Sequence, residues 1–167
     1  MAFLLCVVLL FGCGDKGAAG PEETAAGPAM LFSPKSLSVA AGAEGSVSLD
    51  LQGCTWSFFG LSMQIECDDG IVSLADATGL VAGDLFGQDA IIFAIENDSR
   101  ICLTLTRTKG QSEISDAGTI GVLTFAGLSA GTSTIRILPD KLRFYDSDGE
   151  PIETPEIELK AATITVR

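Results

Sequence analysis

Three acids crowd one glycine in FYDSDGEPI, Phe144 to Ile152, and carboxylates at that spacing suggest calcium first. A helix–loop–helix calcium loop needs acidic ligands at places one, three and five, glycine at six and a bidentate glutamate at twelve. With Gly149 at the sixth place, Asp146 and Asp148 fit, but Phe144 takes the first place and Pro155 the twelfth. With Asp146 first, the sixth place is Pro151. Neither register supplies a ligand set, so Asp148-Gly149 reads as a turn pair between two strands and no metal is assigned. A second chemistry open to paired carboxylates is glycoside hydrolysis, with Asp68-Asp69 and Asp146/Asp148 as the candidate acids. Adjacent acids in turns are ordinarily solvated, and no insertion builds a cleft around them, so no catalytic residue is assigned.

The chain of 167 residues has no histidine. That removes the commonest general base and the commonest metal ligand, and with them Ser-His-Asp and Cys-His catalysis. The expectation is a protein that is not an enzyme and needs no cofactor. A formal net charge of −12 argues against nucleic acid and against an anionic membrane surface as partners.

The elements that must position any site begin with an apolar leader. MAFLLCVVLLFGC is too short to span a bilayer, which takes about 20 apolar residues. It fits the core of an export signal. The ending Leu10-Phe11-Gly12-Cys13 resembles a bacterial lipobox, which implies that residues 1–12 are removed and that Cys13 carries the lipid. Residues 13–30 are then a lipidated cysteine and a Gly/Ala/Pro/Glu tether, leaving 31–167 as the folded domain on an exported, lipid-anchored protein.

From Leu31 the apolar period is two rather than 3.6. Val47, Leu49 and Leu51 alternate with Ser46, Ser48 and Asp50. Leu61, Met63, Ile65 and Cys67 alternate with Ser62, Gln64 and Glu66. DAIIFAIENDSRICLTLTR reads as a hairpin with Asn97-Asp98-Ser99 at its tip, burying Ile91, Phe93 and Ile95 from one arm and Ile101, Leu103 and Leu105 from the other. Val72 to Gly87 is the least patterned part, read as a short strand and loop. About nine short strands, each with one apolar face, predict an all-β two-sheet sandwich of immunoglobulin-like or jelly-roll type. Trp56, beside Phe58 and Phe59, reads as a plug at one end of it.

The order of segments is more specific than any one of them. A strand with AGAEGSVSLDLQG, then FGLSMQIECDDGIVSL, GDLFGQDAIIFAIENDSRICLTL, SDAGTIGVLTFAGLSAGTSTIRI, FYDSDGEPI and a closing ATITV resembles a cohesin domain over Leu37 to Val166. Cohesins capture dockerin-bearing enzymes on bacterial scaffolds. The resemblance implies a nine-stranded jelly-roll sandwich and a dockerin-bearing partner, plausibly a secreted enzyme of polysaccharide degradation. It also implies a protein-binding face made by the outward residues Ser62, Gln64, Glu66, Ala94, Glu96, Cys102, Thr104 and Thr106: flat, mostly small and polar, with two glutamates that favour a basic partner. The implied topology brings Cys67 beside Cys102, so a Cys67–Cys102 disulfide is an expectation, although alternation points the two to opposite faces. The competing expectations are a carbohydrate-binding module on the same sandwich, which would expose a row of aromatic rings, and a structural adhesion domain.

Overall fold

The computed structural model describes residues 27–75 and 79–167. The expected export signal, the expected lipid site Cys13 and most of the expected tether lie outside the described residues. What is described folds as two facing β-sheets, with one 3-10 turn at Pro139–Lys141.

The first sheet contains β1 (Ala29–Ser33), β3 (Glu44–Gln52), β5 (Val72–Leu74), β6 (Leu80–Ala82), β9 (Gly118–Gly127) and β13 (Glu158–Lys160). Its order is β13-β1-β3-β9-β5, and β6 also pairs with β9. The second contains β2 (Ser36–Val39), β4 (Gly60–Glu66), β7 (Ile91–Asn97), β8 (Arg100–Thr106), β10 (Gly131–Ile137), β11 (Arg143–Tyr145), β12 (Pro151–Ile152) and β14 (Ala162–Val166). Here β4 is the hub. Along one edge it pairs with β8 over its whole length, and β8 pairs with β7. Its other edge is shared between β11, opposite Gly60 to Ser62, and β10, opposite Ile65 and Glu66. The expected all-β two-sheet sandwich is thus what forms. It has fourteen strand segments among the described residues rather than nine, because short pairings such as β12 and β13 carry no readable period of their own.

Alternation explains most of it. Val47, Leu49 and Leu51 of β3 point inward against Leu61, Met63 and Ile65 of β4 and Ile101, Leu103 and Leu105 of β8, and all are buried. Each such side chain contributes about 1.5–3 kcal/mol on leaving water. Phe58, Phe86 and Phe144 close one end in edge-to-face contacts, with Trp56 set on Phe144 at 5.4 Å between centroids. Trp56 is therefore the end plug that its neighbours suggested.

Two expectations fail. The domain does not begin at residue 31: Ala29 and Met30 are fully buried in β1, paired to β3 and β13. The Gly/Pro composition just before them hides a strand whose inward residues come from what read as tether. The second failure is the parity of β7. Ile91, Phe93 and Ile95 were expected inside, but they are 57%, 58% and 48% exposed. The hairpin loop holds two residues, Asp98 and Ser99, between the paired Asn97 and Arg100, with Asp98 at φ 52°. Partners across an antiparallel pair share a face. Since Ile101, Leu103 and Leu105 point inward, so do their partners Glu96, Ala94 and Ile92.

Candidate docking face

The outward side of β7, β8 and β4 is a continuous three-strand surface whose register is unbroken from Gly60–Thr106 to Glu66–Arg100. Row by row it pairs Ile91 with Thr106, Phe93 with Thr104 and Ile95 with Cys102. The next column sets Ser62 opposite Thr104, and Gln64 opposite Cys102. An apolar stripe along the edge thus borders a strip of hydroxyl, thiol and amide groups.

Of the residues expected on this face, Ser62, Gln64, Glu66, Cys102, Thr104 and Thr106 are there. Ser62 Oγ lies 3.1 Å from the Tyr145 hydroxyl. Thr106 Oγ1 donates to the Arg107 carbonyl at 3.3 Å. Gln64 sits at the centre, and its Oε1 is buried with no hydrogen-bond partner among the described residues.

Ala94 and Glu96 are not on this face. Both point towards the core, as the two-residue loop dictates. Ala94 packs against the core. Glu96 reaches across the edge of the sandwich and accepts the Leu74 N–H with both carboxylate oxygens, at 3.1 and 3.3 Å. It joins the edge strand of one sheet to the edge strand of the other. Burial pushes its carboxyl above the ordinary value; the Leu74 hydrogen bond opposes this and Asp69 adds to it. The other expected glutamate, Glu66, is already paired: Arg136 Nε donates to its Oε2 at 2.6 Å, and the guanidinium Nη2 also contacts that oxygen. Neither glutamate is free to select a basic partner.

The Cys67–Cys102 bridge does not form. Cys54, Cys67 and Cys102 are all free. With no bulge between β4 and β8, alternation keeps Cys67 in the core and Cys102 on the outer face. Burial raises the Cys67 thiol to about 11, and surrounding carboxylates add to the shift, so it behaves as a small core hydrophobe.

Asp146 and Asp148 form the turn that their spacing predicted. Asp146 Oδ1 accepts the backbone N–H groups of Asp148 and Glu150, both at 2.9 Å, and Gly149 takes φ 83°. Asp68 likewise accepts the Gly70 N–H at 3.1 Å in its own turn.

The apolar stripe is the feature that sequence reasoning missed. The signal was present in the hairpin: a two-residue Asp98-Ser99 loop fixes the parity of β7 from that of β8.

No family model matches the chain, and no curated protein matches it in sequence. Solved structures do match in fold. The third cohesin of ScaC from Acetivibrio cellulolyticus, in complex with the ScaB dockerin, superposes with a TM-score of 0.64 at 17% identity, over 83% of this chain and 98% of that one. A type II cohesin domain from the cellulosome of the same organism gives 0.64 at 14% identity, over 83% and 95%. A type I cohesin–dockerin complex from Clostridium thermocellum gives 0.62 at 15%, over 84% and 99%. The chain is similar to these cohesins in fold, which makes the sandwich a jelly roll.

Proposed function

We propose that this chain is a non-catalytic binding module that docks a dockerin-bearing protein on the outer face of β7, β8 and β4. The observation that carries the reading is the stripe Ile91, Phe93 and Ile95, held exposed on the outer face of the sheet beside Ser62, Gln64, Cys102 and Thr104. Large apolar side chains grouped on a surface mark interaction sites. An apolar ridge next to short polar groups fits the amphipathic face of a helix pair: apolar positions against the ridge, polar positions against the hydroxyls of Ser62 and Thr104. The neighbours in fold that are solved with dockerins support the choice of partner. Export, a lipid anchor at Cys13 and a role in polysaccharide degradation complete the reading. They rest on the apolar leader and on the kind of assembly in which the neighbours occur. Direct binding of polysaccharide is the weaker alternative, since Phe93 is the one exposed aromatic ring among the described residues, and a sugar platform stacks several.

Calorimetric titration of the full chain with a dockerin from the same organism tests this. Phe93→Asp is expected to weaken binding by tenfold or more, because central anchors cost about 2 kcal/mol or more on removal. Ser62→Arg is expected to do the same by bulk. Unchanged affinity in both variants, each still folded, overturns the proposal. Retention on insoluble glycan with no dockerin bound replaces it by the carbohydrate-binding reading.

A further inference from the structure

Among the described residues, β2, β5, β6, β7, β12 and β13 each pair on one side only. β7 has seven residues, and the others have two to four. An open strand edge is a template for another strand, and proteins ordinarily blunt it with proline, lysine, a bulge or brevity. β7 reads IIFAIEN, without proline or lysine, and its register against β8 is unbroken.

One hydrogen bond fixes which backbone groups of β7 lie on that edge. The Cys67 N–H donates to the Ser99 carbonyl at 2.9 Å, beside the Glu66–Arg100 pair. The odd residues of β8 therefore bond to β4, and its even residues, Arg100 to Thr106, bond to β7. Their partners in β7 are Asn97, Ile95, Phe93 and Ile91. The N–H and C=O groups of Ile92, Ala94 and Glu96 then point away from β8. Among the described residues, none of these groups bonds to another backbone group. The Glu96 side chain turns inward to Leu74 and leaves its backbone on the edge.

The strand is also complementary to itself. Ile91-Ile92-Phe93-Ala94-Ile95 is apolar throughout and matches its own reverse at both outer positions. We propose that a second copy of this chain pairs with β7, antiparallel and with Phe93 on the twofold axis. A twofold contact of this kind sets one patch against itself. Ile92 of each copy then exchanges backbone bonds with Ala94 of the other, so the edge groups find partners. On the outer face, Phe93 meets Phe93 of the second copy across a wide pair, with Cα atoms about 4.5 Å apart, and Ile91 meets Ile95. Apolar and aromatic cross-strand pairs are the contacts that stabilise such a ladder. The net charge of −12 opposes association. In this register, however, Glu96 faces Ala90 rather than another charge, and physiological salt screens charges more than about 8 Å apart. The rings meet side by side in one extended sheet, so the outer face stays open to a docked protein.

Disulfide trapping tests the register without a dockerin. Two full-length chains with different tags, one Ile91→Cys and one Ile95→Cys, are mixed in excess detergent micelles and oxidised. Both carry Cys102→Ser, because Cys102 lies opposite Ile95 within the hairpin. A wide pair suits a disulfide, whereas identical positions would lie about 13 Å apart, too far to bridge. The expected yield of mixed-tag dimer is at least tenfold that of either variant alone, and it is lost when both chains also carry Phe93→Lys or Ala94→Pro. The lysine sets like charges together at the axis, and the proline removes an edge N–H without touching a β7–β8 bond. Equal yields in mixed and single samples, yields no higher than in chains without the added cysteines, or unchanged yield in both blocking variants would overturn the proposal.

Discussion

Glu96 illustrates how much one side chain's direction decides. Expected on the surface as a partner-selecting charge, it sits instead at the edge between the sheets and accepts the Leu74 N–H. Its carboxyl is raised above the ordinary value for glutamate, chiefly by burial. A folded-state pKa above the unfolded one means that the folded chain holds this proton to higher pH. Stability from this group is therefore complete at low pH, falls as pH rises from the ordinary glutamate value through the folded value, and is flat beyond. Glutamine keeps an acceptor for Leu74 without the charge. Glu96→Gln should thus match the wild type at pH 3 and equal or exceed it at pH 7 in urea unfolding. A variant that loses ground to the wild type as pH rises would show that the charged form is the one the fold prefers. Cys67 makes a similar point: its inward parity was legible from alternation alone, and that parity is what keeps it from Cys102.

Among the elements, β3, β4 and β8 were legible because apolar and polar residues alternate in them without ambiguity. In β7 five of the six residues Ile91 to Glu96 are apolar, so both phases look like a core face. The larger side chains then seem to belong inside, and a three-residue tip at Asn97-Asp98-Ser99 agrees with that choice. The real loop is one residue shorter, and a one-residue slip turns every side chain of a strand over. The turn at Asp148-Gly149 was legible for the opposite reason: its residue types leave one geometry. β1 was only half legible, since Pro28-Ala29-Met30 follows a Gly/Ala-rich run and looks like more of the same. Met30 nonetheless faces Leu51 and Leu159 in the ladder and has no exposed surface. Met30→Ala is expected to destabilise the chain by about 2–5 kcal/mol in urea unfolding, as for other large core truncations. A tether residue would lose nothing, and a change near zero would put the start of the domain back at residue 31.

For the molecule as a whole, the sandwich groups the large apolar side chains Ile91, Phe93 and Ile95 on one outer face, and in the proposed reading the leader holds that face outside the cytoplasm. If Cys13 bears lipid, Cys13→Ser should move the protein from the detergent to the aqueous layer in a Triton phase partition; unchanged partitioning would refute the anchor and leave the docking face untouched. The docking face is the central claim, and hydroxyl-radical footprinting reads it at the side chains themselves. The labelling of Ile91, Phe93, Ile95 and Cys102 would be compared with and without saturating dockerin. Val81 and Leu128, which are 61% and 48% exposed, serve as internal controls. The account predicts that Phe93 and its neighbours are protected at least severalfold while Val81 and Leu128 stay as reactive as before. Protection of Val81 or Leu128 with Phe93 unchanged would contradict it.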